Sequence, residues 1–127
     1  MTARSRPLIL NHMVVRSSAT LDATFHALAH PVRRGMLALL VDGERSVGEL
    51  AAPFDVSLAA SSKHLKVLER AGLVRRRVVG RTHACSLNPE PLAEASDWTD
   101  ACRAAWAANF ARLDDVLDEL KTPDRKG

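Results

Sequence analysis

The stretch SLAASSKHLKVLERAG, residues 57–72, decides how the rest of the chain is read. Ser57 suits a helix N-cap, because its short hydroxyl can accept from the first unpaired backbone N–H groups. Gly72 suits the position just past the helix end, where φ turns positive. Between them Ser61, Leu65 and Leu68 fall on one face at helical spacing, with Ala71 beside them. Lys63, Lys66 and Arg70 fall on another face, flanked by Ser62 and His64. An ordinary amphipathic surface helix carries the same pattern. A helix lying in a DNA groove needs it: an inward apolar stripe backed by cations and hydroxyls.

The residues that follow favour the second reading. LVRRRVVGRTHACSLN, residues 73–88, holds two runs suited to strands, 73–79 and 82–87, with Gly80-Arg81 between them. This predicts a two-stranded hairpin turning at the glycine. Arg75, Arg76, Arg77 and Arg81 stud it. A basic hairpin directly after such a helix is a wing, able to enter a minor groove or to grip phosphate.

Upstream, Thr20 predicts the cap of a first helix over about 20–29, with Leu21, Phe25 and Leu28 as its apolar stripe. Pro31 restarts the pattern, and a second helix runs to about Val41 with Val32, Met36, Leu39 and Leu40 inward and Arg33 and Arg34 near its start. Asp42-Gly43 ends it. Ser46-Val47-Gly48-Glu49 matches a capping box and opens a short third helix. A short helix, a tight connection and a second helix with a basic outer face make a helix-turn-helix.

Asn88-Pro89-Glu90-Pro91 predicts a turn and the start of a long last helix to about Leu120, with a candidate break near Ser96-Asp97. From Trp98 to Leu120 it would be about 35 Å long. Trp98, Cys102, Trp106, Phe110, Leu113 and Leu117 recur every three or four residues. Aromatic residues make up only 4% of the chain, yet two tryptophans and a phenylalanine collect here. Packing against a second copy explains such a helix better than one small domain does, so these six residues are the expected dimer interface.

The expected fold class is therefore mainly α with a small β-hairpin wing, in the order α-α-α-α-β-β-α, dimerising through terminal helices. Residues 1–18, with Arg4, Arg6 and Arg16, are expected to be a flexible arm; 19–121 form the domain, its dimerisation helix over about 91–121; 122–127 are a polar tail. Met13 is a second candidate start.

Composition narrows the classes. The chain has 127 residues, 46% hydrophobic, and a formal net charge of +3. That charge is uneven. From Lys63 to Arg81 seven cations face only Glu69, while from Glu90 to Leu120 eight acids face two arginines. The middle suits an anionic partner and the last helix does not. No apolar run approaches the ~20 residues of a membrane span, and no secretion signal is evident, so a cytoplasmic location is expected. Neither a phosphate-cradling glycine loop, nor a G-x-S-x-G elbow, nor an H-E-x-x-H pair is present, and an enzyme is not expected. Cys85 and Cys102 give no zinc motif; a redox pair and two separate thiols are both open. His26 and His30 have a metal-ligand spacing, but helix-end histidines beside a proline are the ordinary explanation. No cofactor or metal is expected.

LDATFHALAHPVRRGMLALL, SVGELAAPFDVSLAASSKHLKVLERAGLV and the Arg/Gly wing together resemble the ArsR-type winged helix-turn-helix repressors, over about residues 20–120. The resemblance implies a homodimer that binds double-stranded DNA at a palindromic operator, represses its own operon and is released by a signal. It is closest to a branch without the metal-binding pattern. Glu49-Leu50-Ala51-Ala52 holds no thiol where metal-sensing relatives place cysteines, and no histidine follows His83. Carried over by position, the DNA contacts would be Ala59, Ala60, Ser62, Lys63, His64 and Lys66, with Arg77 and Arg81 from the wing. Ala59 and Ser61 depart from the family's frequent proline and valine, and the wing lacks its frequent tyrosine; this leaves the operator sequence and the inducer open. Ser61, facing inward, would loosen the helix or bond back to a carbonyl. A protein-interaction module built on the long helix, without DNA, is the competing class, and a thiol-based redox-sensing repressor is a variant of the first.

Overall fold

Helix starts capped by side chains set the frame. In a computed structural model that describes residues 18–121, the order is α1 (Ser18–Leu28), α2 (Pro31–Leu39), β1 (Arg45–Ser46), α3 (Val47–Ala51), α4 (Leu58–Arg70), β2 (Val74–Val79), β3 (Thr82–Leu87) and α5 (Glu90–Lys121). Of the arm expected over residues 1–18, only Ser18 is described, and it opens α1; the rest of the arm and the polar tail from 122 lie outside the described residues.

α1 begins at Ser18, so Thr20 sits inside the helix and does not cap it. Its inward face also differs from the expected stripe. Leu21, Thr24 and Ala27 are buried, whereas Phe25 is exposed. α2 opens with Pro31 in its first turn, and the N-cap is His30, whose Nδ1 accepts from the Val32 N–H at 3.1 Å. Its buried residues are Arg33, Met36 and Leu37, followed by Leu40. α3 carries the capping box: Glu49 N–H donates to Ser46 Oγ and Ser46 N–H to Glu49 Oε1. These bonds hold the Glu49 carboxyl below its usual range.

α4 is capped by Ser57, which accepts from Ala60 N–H at 3.1 Å. It ends in a Schellman motif. Leu73 N–H reaches Leu68 C=O, Gly72 N–H reaches Glu69 C=O, and Gly72 has φ 77°. That turn sends the chain straight into β2. Its stripe of Leu65 and Leu68 joins Ala27, Met36, Leu37, Leu40, Leu50, Leu73, Val74 and Cys85 in one core.

The sheet has three strands, not two, in the order β1-β3-β2 and antiparallel throughout. The added strand β1 pairs Arg45 with Cys85 and Ser46 with Ala84. Val79 pairs with Thr82, which leaves a two-residue turn at Gly80-Arg81. Only Gly80 has positive φ there, the II′ pattern that suits twisted hairpins.

α5 is a single helix of 32 residues, about 48 Å long. It runs through Ser96-Asp97, the candidate break, as helix. The chain divides into two compact units, Met1–Ala95 and Ser96–Gly127. In the first, Pro91 and Ala95 are buried and Leu92 packs on the core. In the second, Trp106, Phe110, Leu113, Val116, Leu117 and Leu120 are exposed, and Trp98 and Cys102 are half-buried.

Ser61 faces inward as expected, at 2% exposure, but its hydroxyl finds no hydrogen-bond partner and does not bond back to a carbonyl. A buried hydroxyl without a partner carries its full desolvation cost. Ser61→Ala should therefore raise stability by about 1 kcal/mol, read from the urea midpoint; a lower midpoint would show that the hydroxyl is satisfied in solution.

Candidate nucleic-acid interface

With Ser61, Leu65 and Leu68 committed to the core, the opposite face of α4 is fixed by helical geometry. Ala59, Ser62, Lys63, Lys66 and Arg70 are exposed, and Ala60 and His64 are half-buried. The structure thus brings Ala59, Ser62, Lys63 and Lys66 to one exposed face, with Ala60 and His64 at its edge. Leu58, at the first turn, is 70% exposed and adds an apolar residue that the sequence reading passed over. Such a face holds ammonium donors for phosphate or base acceptors, a hydroxyl, and small apolar groups that suit a thymine methyl.

The wing arginines differ among themselves. Arg76 donates to Glu69 of α4 at 2.5 Å, tying β2 to the helix before it. Arg77 makes a two-pronged pair with Glu44, Nε at 2.8 Å and Nη2 at 2.7 Å. The Arg77 guanidinium holds the Glu44 carboxyl below the usual carboxylate range. Arg75 and Arg81 are exposed, the latter in the hairpin turn. Of the two wing residues expected to meet DNA, Arg81 lies at the tip and Arg77 lies farther back against its own chain's acid. Solvent screens an exposed pair of this kind, so a phosphate can compete for Arg77.

A residue the sequence reading did not assign ties the site together. Arg33 is buried, donating from Nε to Ala27 C=O and from Nη2 to His26 C=O, both at 2.8 Å. Its Nη1 stands 3.2 Å from Nδ1 of His64 on α4. The neighbouring Arg34 donates to Leu28 C=O at 2.7 Å. The two arginines donate to carbonyls in the last turn of α1, His26 C=O also accepting from Ala29 N–H at 3.1 Å. The signal was available in the sequence: Arg33 shares helical spacing with Met36, Leu37 and Leu40, and so lies on the inward stripe.

The His30 and His64 rings lie 4.2 Å apart, centroid to centroid, tilted by 42°. Burial, then the charges of His30 and Arg33, push the His64 pKa below its ordinary value. His26 contributes its backbone carbonyl to Arg33. A guanidinium among these histidines opposes a cation there, and no group of three or more His, Cys, Asp or Glu among the described residues is placed to hold a metal. Cys85, on β3, is buried, and burial pushes its thiol pKa up, away from the reactive thiolate. No described helix is long and apolar enough to cross a membrane.

Comparison with known proteins agrees with this geometry. A helix-turn-helix domain model matches residues 28–77, from the end of α1 into the wing. HTH-type transcriptional regulator Rv2034 of Mycobacterium tuberculosis is 37% identical over 94 residues, covering 74% of this chain and 88% of that protein. Transcriptional repressor SdpR of Bacillus subtilis is 31% identical over 78 residues, covering 61% and 87%. The crystal structure of an ArsR family transcriptional regulator superposes with a TM-score of 0.66 at 36% identity, covering 70% of this chain and 92% of that one.

The lowered His64 pKa has a sign that can be tested. Above the ordinary imidazole value both folded and unfolded forms are neutral and nothing changes. As pH falls through about 6.5, the unfolded chain takes up the proton first, so stability is lost from there down to the folded-state pKa. Between pH 7.5 and 5.5 the wild-type melting temperature should therefore fall further than that of His64→Gln; equal falls would contradict the assignment.

Proposed function

The chain belongs to the ArsR family of winged helix-turn-helix transcriptional regulators, and from that premise we propose that it acts as a homodimeric repressor reading a palindromic operator. The observation that carries the proposal is the exposed face of α4, where Lys63, Lys66, Ser62 and Ala59 stand opposite a stripe sunk in the core. Ala59 and Ala60 meet thymine methyls, Ser62 and Lys63 reach base acceptors, His64 donates to a base or phosphate, and Lys66 grips phosphate. Arg81 contacts the backbone or minor groove from the wing turn, and Arg77 joins it by exchanging Glu44 for a phosphate.

The homodimer reading rests on α5. Trp106 and Phe110 stack with ring centroids 5.0 Å apart and are 61% and 56% exposed. Leu113, Leu117 and Leu120 continue the same heptad-like spacing and are exposed too. A stripe this long and apolar favours burial against a partner, and a second copy supplies the matching stripe. Trp98 and Cys102, half-buried, would sit at the near end of that contact. The relative named a repressor supports the sign of regulation. A cytoplasmic location fits a regulator of DNA.

Selection of bound duplexes from a random pool tests the whole reading. An enriched palindrome is expected, because two-fold protein symmetry imposes it on the site. Failure to enrich any motif would favour a protein-interaction module instead.

Lys63→Ala should weaken binding to the selected duplex by about 1–3 kcal/mol and relax preference at one position of each half-site. An unchanged affinity in a low-salt titration would remove Lys63 from the contact set.

A further inference from the structure

The contact between Arg33 and His64 has a chemical consequence for the recognition face. A guanidinium has only N–H donors and no acceptor. At 3.2 Å from Nη1, the Nδ1 of His64 can take part only as an acceptor, with its lone pair bare. In a neutral imidazole the proton then resides on Nε2, across the ring from that contact. Arg33 is poorly placed to swing away. It is 8% exposed, and its Nε and Nη2 are held by Ala27 and His26 carbonyls. The other side of the imidazole rests near His30, itself fixed as the α2 cap through Nδ1.

We propose that Arg33 is a positioning residue for DNA recognition: by donating to Nδ1 it fixes His64 as the Nε2–H tautomer, so α4 offers DNA one donor of preset identity. This rests on the DNA-binding reading and deepens it. The acceptor class is a phosphate oxygen or the N7 or O6 edge of a purine, each of which takes an N–H donor. The lowered pKa of His64 keeps the ring in the neutral state to which this tautomer belongs. Without Arg33 the two neutral tautomers interconvert, and part of the population would present a bare Nε2 to an acceptor on DNA. Preorganisation of this kind costs nothing at the moment of binding, which is where its contribution to affinity arises.

The test has two arms on the full chain. Nitrogen NMR with ¹⁵N-labelled imidazole, the His64 signals identified by their loss in His64→Gln, reads the tautomer of the unaltered protein directly. A bare Nδ1 and a protonated Nε2 are expected near pH 7.5; the opposite form, or a mixture, overturns the proposal. The second arm measures affinity for the selected duplex. A glutamine amide reaches the Nε2 position and an asparagine amide only the Nδ1 position. His64→Gln should bind more tightly than His64→Asn by about tenfold or more, the scale of one hydrogen bond. Equal affinities for the two variants overturn the proposal. Arg33→Lys should weaken DNA binding in the wild-type background and much less in His64→Gln; equal losses in both would show a merely structural role. If Arg33→Lys does not fold, the tautomer and the glutamine–asparagine pair still decide. A wild-type chain that binds no duplex would instead sink the DNA-binding reading, leaving the tautomer to be judged by NMR alone. Loss confined to duplexes with one particular base pair assigns the acceptor to a base, and uniform loss assigns it to phosphate.

Discussion

A buried guanidinium stands where three helices meet. Arg33 belongs to α2, closes carbonyls in the last turn of α1, and touches α4 at His64. Burying a cation costs several kcal/mol unless its N–H groups are satisfied. Here Nε and Nη2 meet carbonyls at a helix C-terminus, where the C=O groups and the helix dipole favour positive charge. Arg34 and Arg45 repeat the device, the first on Leu28 C=O and the second on Leu39 C=O at the end of α2. The two upstream helices are thus closed by arginines from later in the chain. α4, by contrast, ends on a glycine, and the exit turn itself aims the chain at the wing.

Charge in this protein consequently has two uses. Arg33, Arg34 and Arg45 serve the scaffold, and Arg76 and Arg77 are paired with Glu69 and Glu44. The cations left exposed on α4 and at the hairpin turn are fewer than the density of Lys and Arg suggests, and they collect on the elements that would face a duplex. A regulator of DNA gains from such economy, since every additional phosphate contact raises affinity for all sequences alike.

Local chemistry was the legible part of the sequence. The Ser46–Glu49 box, the Ser57 and Gly72 boundaries of α4 and the Gly80 turn each depend on residues within a few positions of one another, and each stands where the pattern put it. What escaped depends on distant partners. β1 is two residues long, too short to show a period, and exists because β3 offers it an edge. The buried face of α1 chose Thr24 and Ala27 over the larger Phe25 because small groups fit against the neighbouring helices, while a stripe read by hydrophobicity alone favours the bulky residue. Arg33 was overlooked for the converse reason: a charged residue on an apolar stripe looks like an interruption until its carbonyl partners, six and seven residues back, are brought beside it. The Glu44–Arg77 pair spans 33 residues and lies beyond any local rule.

DNA recognition by α4 requires a duplex to cover one particular face of the chain. Lysine acylation read by mass spectrometry, on the full chain with and without a bound operator duplex, asks this directly. Lys63 and Lys66, both exposed in the structure, should be shielded by the duplex while Lys121 at the end of α5 reacts at its unbound rate. Shielding of Lys121 with Lys63 and Lys66 left reactive would rule out α4 as the recognition face.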